Sequence, residues 1–382
     1  MTTQGTPVTF GDLALFTGKP QHQNFCRMAE LLPSRPMAPS SRPSALPMGN
    51  PGAMPPTYRF DGLARSTDTF LAETDTAALL VLTDGKVRYE HYALTGGPEV
   101  PWLSMSVAKS FVSALVGIAL DEGHIPSLTA SVSDFVPVRP GSAYDGVPVR
   151  DVLQMSSGAR WDEDYSNPRS EVFRLADAVQ SGGSLERVVA EMEREHPPGT
   201  LCRYNSADTL VLGRMLAHAT GRTLADYMRE KLGEPLGMTS PGHWLIDPQG
   251  DELSHNGLTL TARDYARLGE LYRNGGVWQG RRVLSDDWVR DSVTVTTPHC
   301  APGRVRGPGP LGYGYQWWIP EGDRGEFSAI GVYNQYVYVD PSAATTIVKL
   351  SANRAFGTTP DESTNRDLET LALLRAITQH NS

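Results

Sequence analysis

The feature that most restricts how this chain can fold is an apolar segment that opens at Ser104-Met105-Ser106-Val107-Ala108-Lys109-Ser110-Phe111 and runs to Asp121-Glu122-Gly123. Its apolar residues, Val112, Leu115, Val116, Ile118 and Leu120 among them, recur at helical spacing on more than one face. That pattern predicts a helix buried on most sides. Gly123 suits the position just past such a helix. A buried helix needs apolar layers around it, and the chain supplies them from both ends. Ala78–Leu82 reads as an apolar strand, Thr83-Asp84-Gly85-Lys86 as a hairpin turn and Val87–Tyr92 as an alternating return strand. Far downstream, the stretch from Phe327 to Val339 and the stretch from Thr345 to Leu350 again have strand character, with a turn at Asp340-Pro341-Ser342 between them. An amphipathic helix from Leu368 to Ile377 follows. The middle reads as helices near 149–155, 170–181, 184–194, 206–220 and 224–232, and Thr261 is placed to cap another. The expectation is an α/β fold: an antiparallel sheet flanked by helices, built from both chain ends, with a mainly helical inserted domain. In residue numbers, 1–60 is a proline-rich arm, 61–125 plus 255–382 the α/β domain, and 126–254 the mainly helical domain. Eight prolines between Pro33 and Pro56 predict an arm that runs extended over the surface without joining a helix or a ladder.

At 382 residues, 40% apolar and 20% charged, the chain has the make-up of a soluble globular protein with a substantial core. A net charge of −9 speaks against nucleic-acid or anionic-membrane partners. Cys26, Cys202 and Cys300 are too few and too scattered for a disulfide framework or a zinc site. With no basic start followed by an apolar run, the expected location is the cytoplasm. No stretch is long enough to span a membrane.

Ser106 and Lys109 lie three apart, which on a helix puts both side chains on one face, about 5–6 Å apart at Cβ. A serine hydroxyl needs a base beside it to act as a nucleophile. A lysine can be that base when burial or a neighbouring cation lowers its pKa. The start of a helix, with its free N–H groups, also suits a developing oxyanion. Tyr204 stands after a Pro197-Pro198-Gly199 turn and just before a helix that Asn205 or Ser206 would cap. A tyrosine held there can relay a proton if an ammonium group is near, and otherwise simply packs its ring. His91, His124, His243 and His255 lack a spaced partner for metal binding, though His255-Asn256-Gly257, just before the Thr261 helix, could border the cleft, and the acidic run Asp162-Glu163-Asp164 reads as a solvated loop that could also attract a substrate ammonium.

Taken in order, Ser106-x-x-Lys109, Tyr204-Asn205-Ser206 and Gly331-Val332-Tyr333-Asn334-Gln335 resemble the motifs of the penicillin-recognising serine hydrolases. Within that superfamily the chain is most similar to the class C β-lactamase-like branch, in particular the 6-aminohexanoate-dimer (nylon-oligomer) hydrolases and the family VIII esterases. Supporting stretches are Leu260-Thr261-Ala262-Arg263-Asp264, Gln316-Trp317-Trp318 and Ile347-Val348-Lys349-Leu350-Ser351, over roughly residues 75 to 375. The resemblance implies a β-lactamase/transpeptidase-like fold. It implies Ser106 as nucleophile, Lys109 and Tyr204 as the proton-handling pair, and the backbone N–H groups of Ser106 and Val332 as oxyanion hole. Tyr165 would contact the scissile group from a loop over the cleft. Ser206, Trp318, Tyr333 and Asn334 would line the substrate site. No metal or cofactor is called for, and a homodimer is left open.

Two departures bear on specificity. Ser206 stands where class C enzymes end their middle motif in asparagine. Tyr333-Asn334-Gln335 replaces a late Lys-Thr-Gly, so a cation and a glycine are missing, which speaks against β-lactam turnover. The expected activity is cleavage of a small-molecule ester or amide through an acyl-enzyme on Ser106. The competing readings are a D-amino-acid peptidase or transpeptidase, and a non-catalytic binding protein on the same scaffold.

Overall fold

The computed structural model describes residues 9–307 and 309–380; the first eight residues of the expected arm, position 308 and the last two residues lie outside the described residues. A seven-stranded antiparallel sheet forms the centre. In spatial order its strands are Gly312–Tyr313, Trp318–Ile319, Phe327–Gly331, Gln335–Asp340, Thr345–Ser351, Thr76–Thr83 and Lys86–Tyr92. The two ends of the chain are therefore joined by one ladder, running from Thr345 opposite Thr83 to Ser351 opposite Thr76. Thr76–Thr83 is buried along its whole length because both faces of the sheet are covered, so it reads as an unbroken apolar run. Leu80, Leu82, Val337, Val339 and Val348 belong to the core shared with the helices Ala108–Asp121 and Ala262–Arg273. Their neighbours Leu79, Val81, Tyr336, Tyr338 and Ile347 pack with Leu371, Leu374 and Ile377 of the helix Asp367–His380. The Asp84-Gly85 turn has φ of +50° and +72°, the left-handed pair that a tight two-residue hairpin requires.

A second sheet, in the order Ser34–Met37, Gly242–Leu245, Leu258–Leu260 and Trp102–Leu103, carries the chain into the buried helix. This corrects the expectation for the arm. Ser34–Met37 pairs in register with Gly242–Leu245, and Phe25 and Met28 sink into the main core. Pro36 is tolerated because the strand is at the sheet's edge, where one side asks for no ladder bond. The stretch expected to be mainly helical, 126–254, also contributes a strand, Gly242–Leu245. The late segment differs too. It is a hairpin, Phe327–Gly331 against Gln335–Asp340, and Tyr333 and Asn334 form its turn with φ of +65° and +62°. Elsewhere the helix signals hold: Gly221 closes the helix Ser206–Thr220 in a left-handed conformation, and the Thr261 hydroxyl accepts from the Asp264 N–H to start Ala262–Arg273. Among the described residues no helix is long and apolar enough to cross a membrane.

Candidate active site

The backbone bends sharply into Ser106. Met105 takes φ +47°, a left-handed conformation that costs a non-glycine residue on the order of 1 kcal/mol or more. A single 3-10 turn, Met105–Val107, then leads into Ala108–Asp121. Lys109, one turn on, is almost completely buried. Its Nζ donates to Ser106 Oγ at 2.8 Å, to Ser206 Oγ at 3.1 Å and to the backbone carbonyl of His255 at 2.9 Å. Burial pushes the amine down to about 8, with the charge of Glu163 acting the other way. The His255 imidazole beside it is held well below its ordinary range, first by burial and then by Lys109.

Tyr204 arrives on an irregular segment fixed by backbone pairing, its N–H donating to the Arg306 carbonyl at 2.9 Å. The Asn205 side chain accepts from the Ala207 N–H at 2.8 Å and so starts the next helix directly behind it. Asn205 Nδ2 also reaches Asp208 Oδ1, which takes the hydroxyls of Ser157 and Tyr144 as well. The Tyr204 ring stacks on Trp318 at 5.0 Å and meets Tyr313 edge-on. The Lys109 ammonium lies 5.1 Å from its centroid. Burial, then the nearby Glu163, raises the phenol well above its ordinary value, and the Ser106 hydroxyl acts in the opposite sense. Hydroxyl, amine and phenol from two distant parts of the chain thus converge.

Glu163 completes the arrangement. Its Oε1 accepts from the hydroxyls of Ser206 at 2.6 Å and Tyr165 at 2.7 Å. Its Oε2 accepts from the Ser206 N–H at 2.8 Å and the Trp161 indole at 2.6 Å. A continuous hydrogen-bonded path therefore runs from Ser106 through Lys109 and Ser206 to this carboxylate. Two chambers open at Ser106. One, about 430 Å³, is bordered by Glu163, Arg203, Tyr204, Trp318 and Asp367. The other, about 410 Å³, is bordered by Phe10, Leu15, Phe16, Val172 and Phe173, with Ser206 and His255 at its inner end. Ser106, Tyr165 and Val332 border both. Gly331 lies so close that an added Cβ would stand 3.0 Å from the Ser106 amide nitrogen, which brings Val332 beside Ser106.

Tyr333 and Asn334, expected to touch substrate, are out of the cleft and border neither chamber. As turn residues their side chains point into the protein. The Tyr333 hydroxyl accepts from the Phe16 N–H at 2.7 Å, and its ring packs on Phe25 and Phe356. Asn334 Nδ2 donates to the Asn365 carbonyl at 2.8 Å, and its oxygen accepts from Asn353. Among the described residues no group of three His, Cys, Asp or Glu side chains gathers to hold a metal ion.

The architecture finds a counterpart among known proteins. The sequence pattern of the β-lactamase family matches residues 63–372. The chain belongs to the β-lactamase family. It is 33% identical over 341 residues to 6-aminohexanoate-dimer hydrolase from Paenarthrobacter ureafaciens, a match that covers 86% of this chain and 84% of that protein. A solved structure from Bacillus anthracis, provisionally named a 6-aminohexanoate-dimer hydrolase, superposes with a TM-score of 0.83 at 22% identity and covers 98% of both chains. EstCE1, described as a hydrolase with promiscuous acyltransferase activity, superposes with a TM-score of 0.64 at 19% identity, covering 82% of this chain and 96% of its own. At those identities the two structures speak for the shared fold.

In this β-lactamase family member, residue-type reasoning singled out the run holding Glu163 only as a solvated loop or a substrate-ammonium attractor and missed its bonds to Ser206, Tyr165 and Trp161; it also missed the His255 carbonyl and the wall formed by residues 10–17. The acidic run around Glu163 looks like solvent-facing loop. Its one legible signal is the period-two spacing Trp161-x-Glu163-x-Tyr165, three side chains that do meet. A carbonyl acceptor leaves no trace in residue type.

Proposed function

We propose that the protein is a serine hydrolase that opens small esters or linear amides through an acyl-enzyme on Ser106. The observation that carries this reading is the set of partners around the Lys109 amine. The His255 carbonyl can only accept, and the Ser206 hydroxyl spends its proton on Glu163, so it too accepts from Lys109. When the amine is neutral, two N–H positions are thereby assigned, and a lone pair replaces the third N–H that points at Ser106. With its pKa at about 8, that neutral form is accessible near physiological pH. Ser106 Oγ attacks the carbonyl carbon while its proton passes to Lys109. The tetrahedral oxyanion is held by the N–H groups of Ser106 and Val332, each worth about 3 kcal/mol when well aimed. The C–O or C–N bond then breaks as the Tyr204 phenol gives its proton to the leaving alcohol or amine, and Lys109 returns a proton to the phenolate. Water repeats the sequence in reverse and frees Ser106. In this reading Tyr165, hydrogen-bonded to Glu163 and bordering both chambers, contacts the scissile group, while Trp318 borders the first chamber and Ser206 the second.

The homologue's name makes the 6-aminohexanoate dimer the linear amide to try first, and a short-chain ester the alternative. The three cysteines are free, which supports a reducing, cytoplasmic setting. The deciding experiment compares p-nitrophenyl butyrate with the 6-aminohexanoate dimer on the native protein and on Ser106→Ala. A fluorophosphonate adduct should map to the peptide carrying Ser106. Undiminished turnover by Ser106→Ala, or a label elsewhere, refutes the reading.

A further inference from the structure

The two chambers differ in chemistry, and the position of the phenol tells them apart. The proton given to a leaving group comes from Tyr204, and Tyr204 borders the first chamber and not the second. The leaving alcohol or amine therefore departs on the Tyr204–Trp318 side, and the acyl group that stays on Ser106 points into the second chamber. That chamber has mainly apolar walls. Its floor is the helix Glu171–Gln180, with Val172, Phe173, Ala176 and Val179 facing it, and its roof is the segment 10–17. The roof is fastened, not draped. The Phe16 N–H donates to Tyr333, Gln21 Nε2 donates to the Leu13 carbonyl at 2.8 Å, and the Phe16 ring stacks on Tyr165 at 4.4 Å. Asp177 and Gln180, both exposed, mark the outer end.

We propose that residues 10–17 and the helix Glu171–Gln180 enclose an acyl-chain chamber, and that it makes the enzyme select substrates by the length of an unbranched aliphatic acyl group. This rests on Ser106 being the acylated nucleophile. If a methylene takes roughly the 30 Å³ of a liquid water, an eight-carbon chain fills a little over half of the 410 Å³ available. By the same measure about thirteen carbons fill it, and only a longer chain passes Asp177 and Gln180 into water and gains little more.

The test is a series of p-nitrophenyl esters from acetate to dodecanoate, with Ser106→Ala as control, on the native protein, Ala176→Phe and Leu15→Trp. For the native protein kcat/KM should climb by about fourfold per added methylene through octanoate and go on rising to dodecanoate. Both variants put bulk into the chamber and should flatten that climb, read as the octanoate-to-acetate ratio. Thermal unfolding shows that each is folded, and either folded variant suffices. A second series, acetate esters of methyl to octyl alcohol, should show no comparable climb. An unchanged ratio in a folded variant, or a gradient that follows the alcohol instead, overturns the chamber while leaving the nucleophile in place. Activity surviving in Ser106→Ala overturns the hydrolase reading itself.

Discussion

Glu163→Gln offers a sharp test of how the proton machinery is set. The substitution removes one negative charge and keeps the shape. The amide oxygen can take over the Ser206 N–H and the Trp161 indole, while the new NH2 faces the hydroxyls of Ser206 and Tyr165, which can rotate to accept. The geometry therefore has a way to survive. The electrostatics do not. Lys109 Nζ and the carboxylate are linked through Ser206 by hydrogen bonds of 3.1 and 2.6 Å, so they sit within about 6 Å of each other. At an effective dielectric constant of about 20, that separation is worth roughly 2–3 kcal/mol, or about two pH units. Glu163 holds the Lys109 pKa up against the burial that has brought it to about 8. In the Gln variant the amine should lose its proton one to two pH units lower. If neutral Lys109 is the base, the acid limb of kcat/KM must move toward lower pH by the same amount. The assay is the pH–rate profile from pH 4.5 to 10 with a p-nitrophenyl ester, read at a wavelength independent of phenolate ionisation. An acid limb that stays in place refutes the assignment of that limb to Lys109.

Lys109→Met and Tyr204→Phe should each lower kcat by about 10³-fold or more while circular dichroism stays native. Wild-type rates in either would contradict the assigned roles. Gly331→Ala should cost at least 10²-fold in kcat and about 1–3 kcal/mol of stability, because the new methyl would lie 2.7 Å from the Ser104 carbonyl oxygen and 3.0 Å from the Ser106 amide nitrogen, both backbone atoms. Steady-state kinetics and urea titration check the two parts. Lys349 is fully buried in its strand, donating to Ser351 and Thr74, and burial pushes its amine down to about 7. The unfolded chain keeps that proton up to about pH 10, so folding stability rises with pH between about 7 and 10. Lys349→Met should therefore stabilise at neutral pH by about 1–3 kcal/mol, with the gain shrinking toward pH 10, as thermal melts at several pH values would show.

What could be read from residue type was whatever is decided locally. The left-handed pair Asp84-Gly85, the stops at Gly123 and Gly221, the Thr261 cap and the apolar strands at 76–83 and 345–351 each carry their own signature. So does the Ser106–Lys109 face, since three residues on a helix can meet in only one way. What escaped depends on partners far away in the chain. Ser34–Met37 looks like a proline-rich tail until Gly242–Leu245 lies beside it. Tyr333 and Asn334 sit in a stretch rich in β-formers, and only the close pairing of Gly331 with Gln335 forces them into a left-handed turn that hides their side chains. Glu163 is a mixed case: the donors Trp161 and Tyr165 stand two residues away in the sequence, but the two from Ser206 come from 43 positions on.

The ladder that joins Thr76–Thr83 to Thr345–Ser351 has a cost during synthesis. The Thr83 and Thr345 hydroxyls meet across 262 positions. At about 5–20 residues per second, a ribosome leaves the first of these strands with an unpaired backbone edge and the apolar side chains of Ala77–Leu82 uncovered for roughly 10 to 50 s before its partner exists. Newly made chains are thus exposed to self-association for most of their translation. Lower growth temperature or a holdase chaperone should raise the yield of folded protein more than any change at the catalytic cleft.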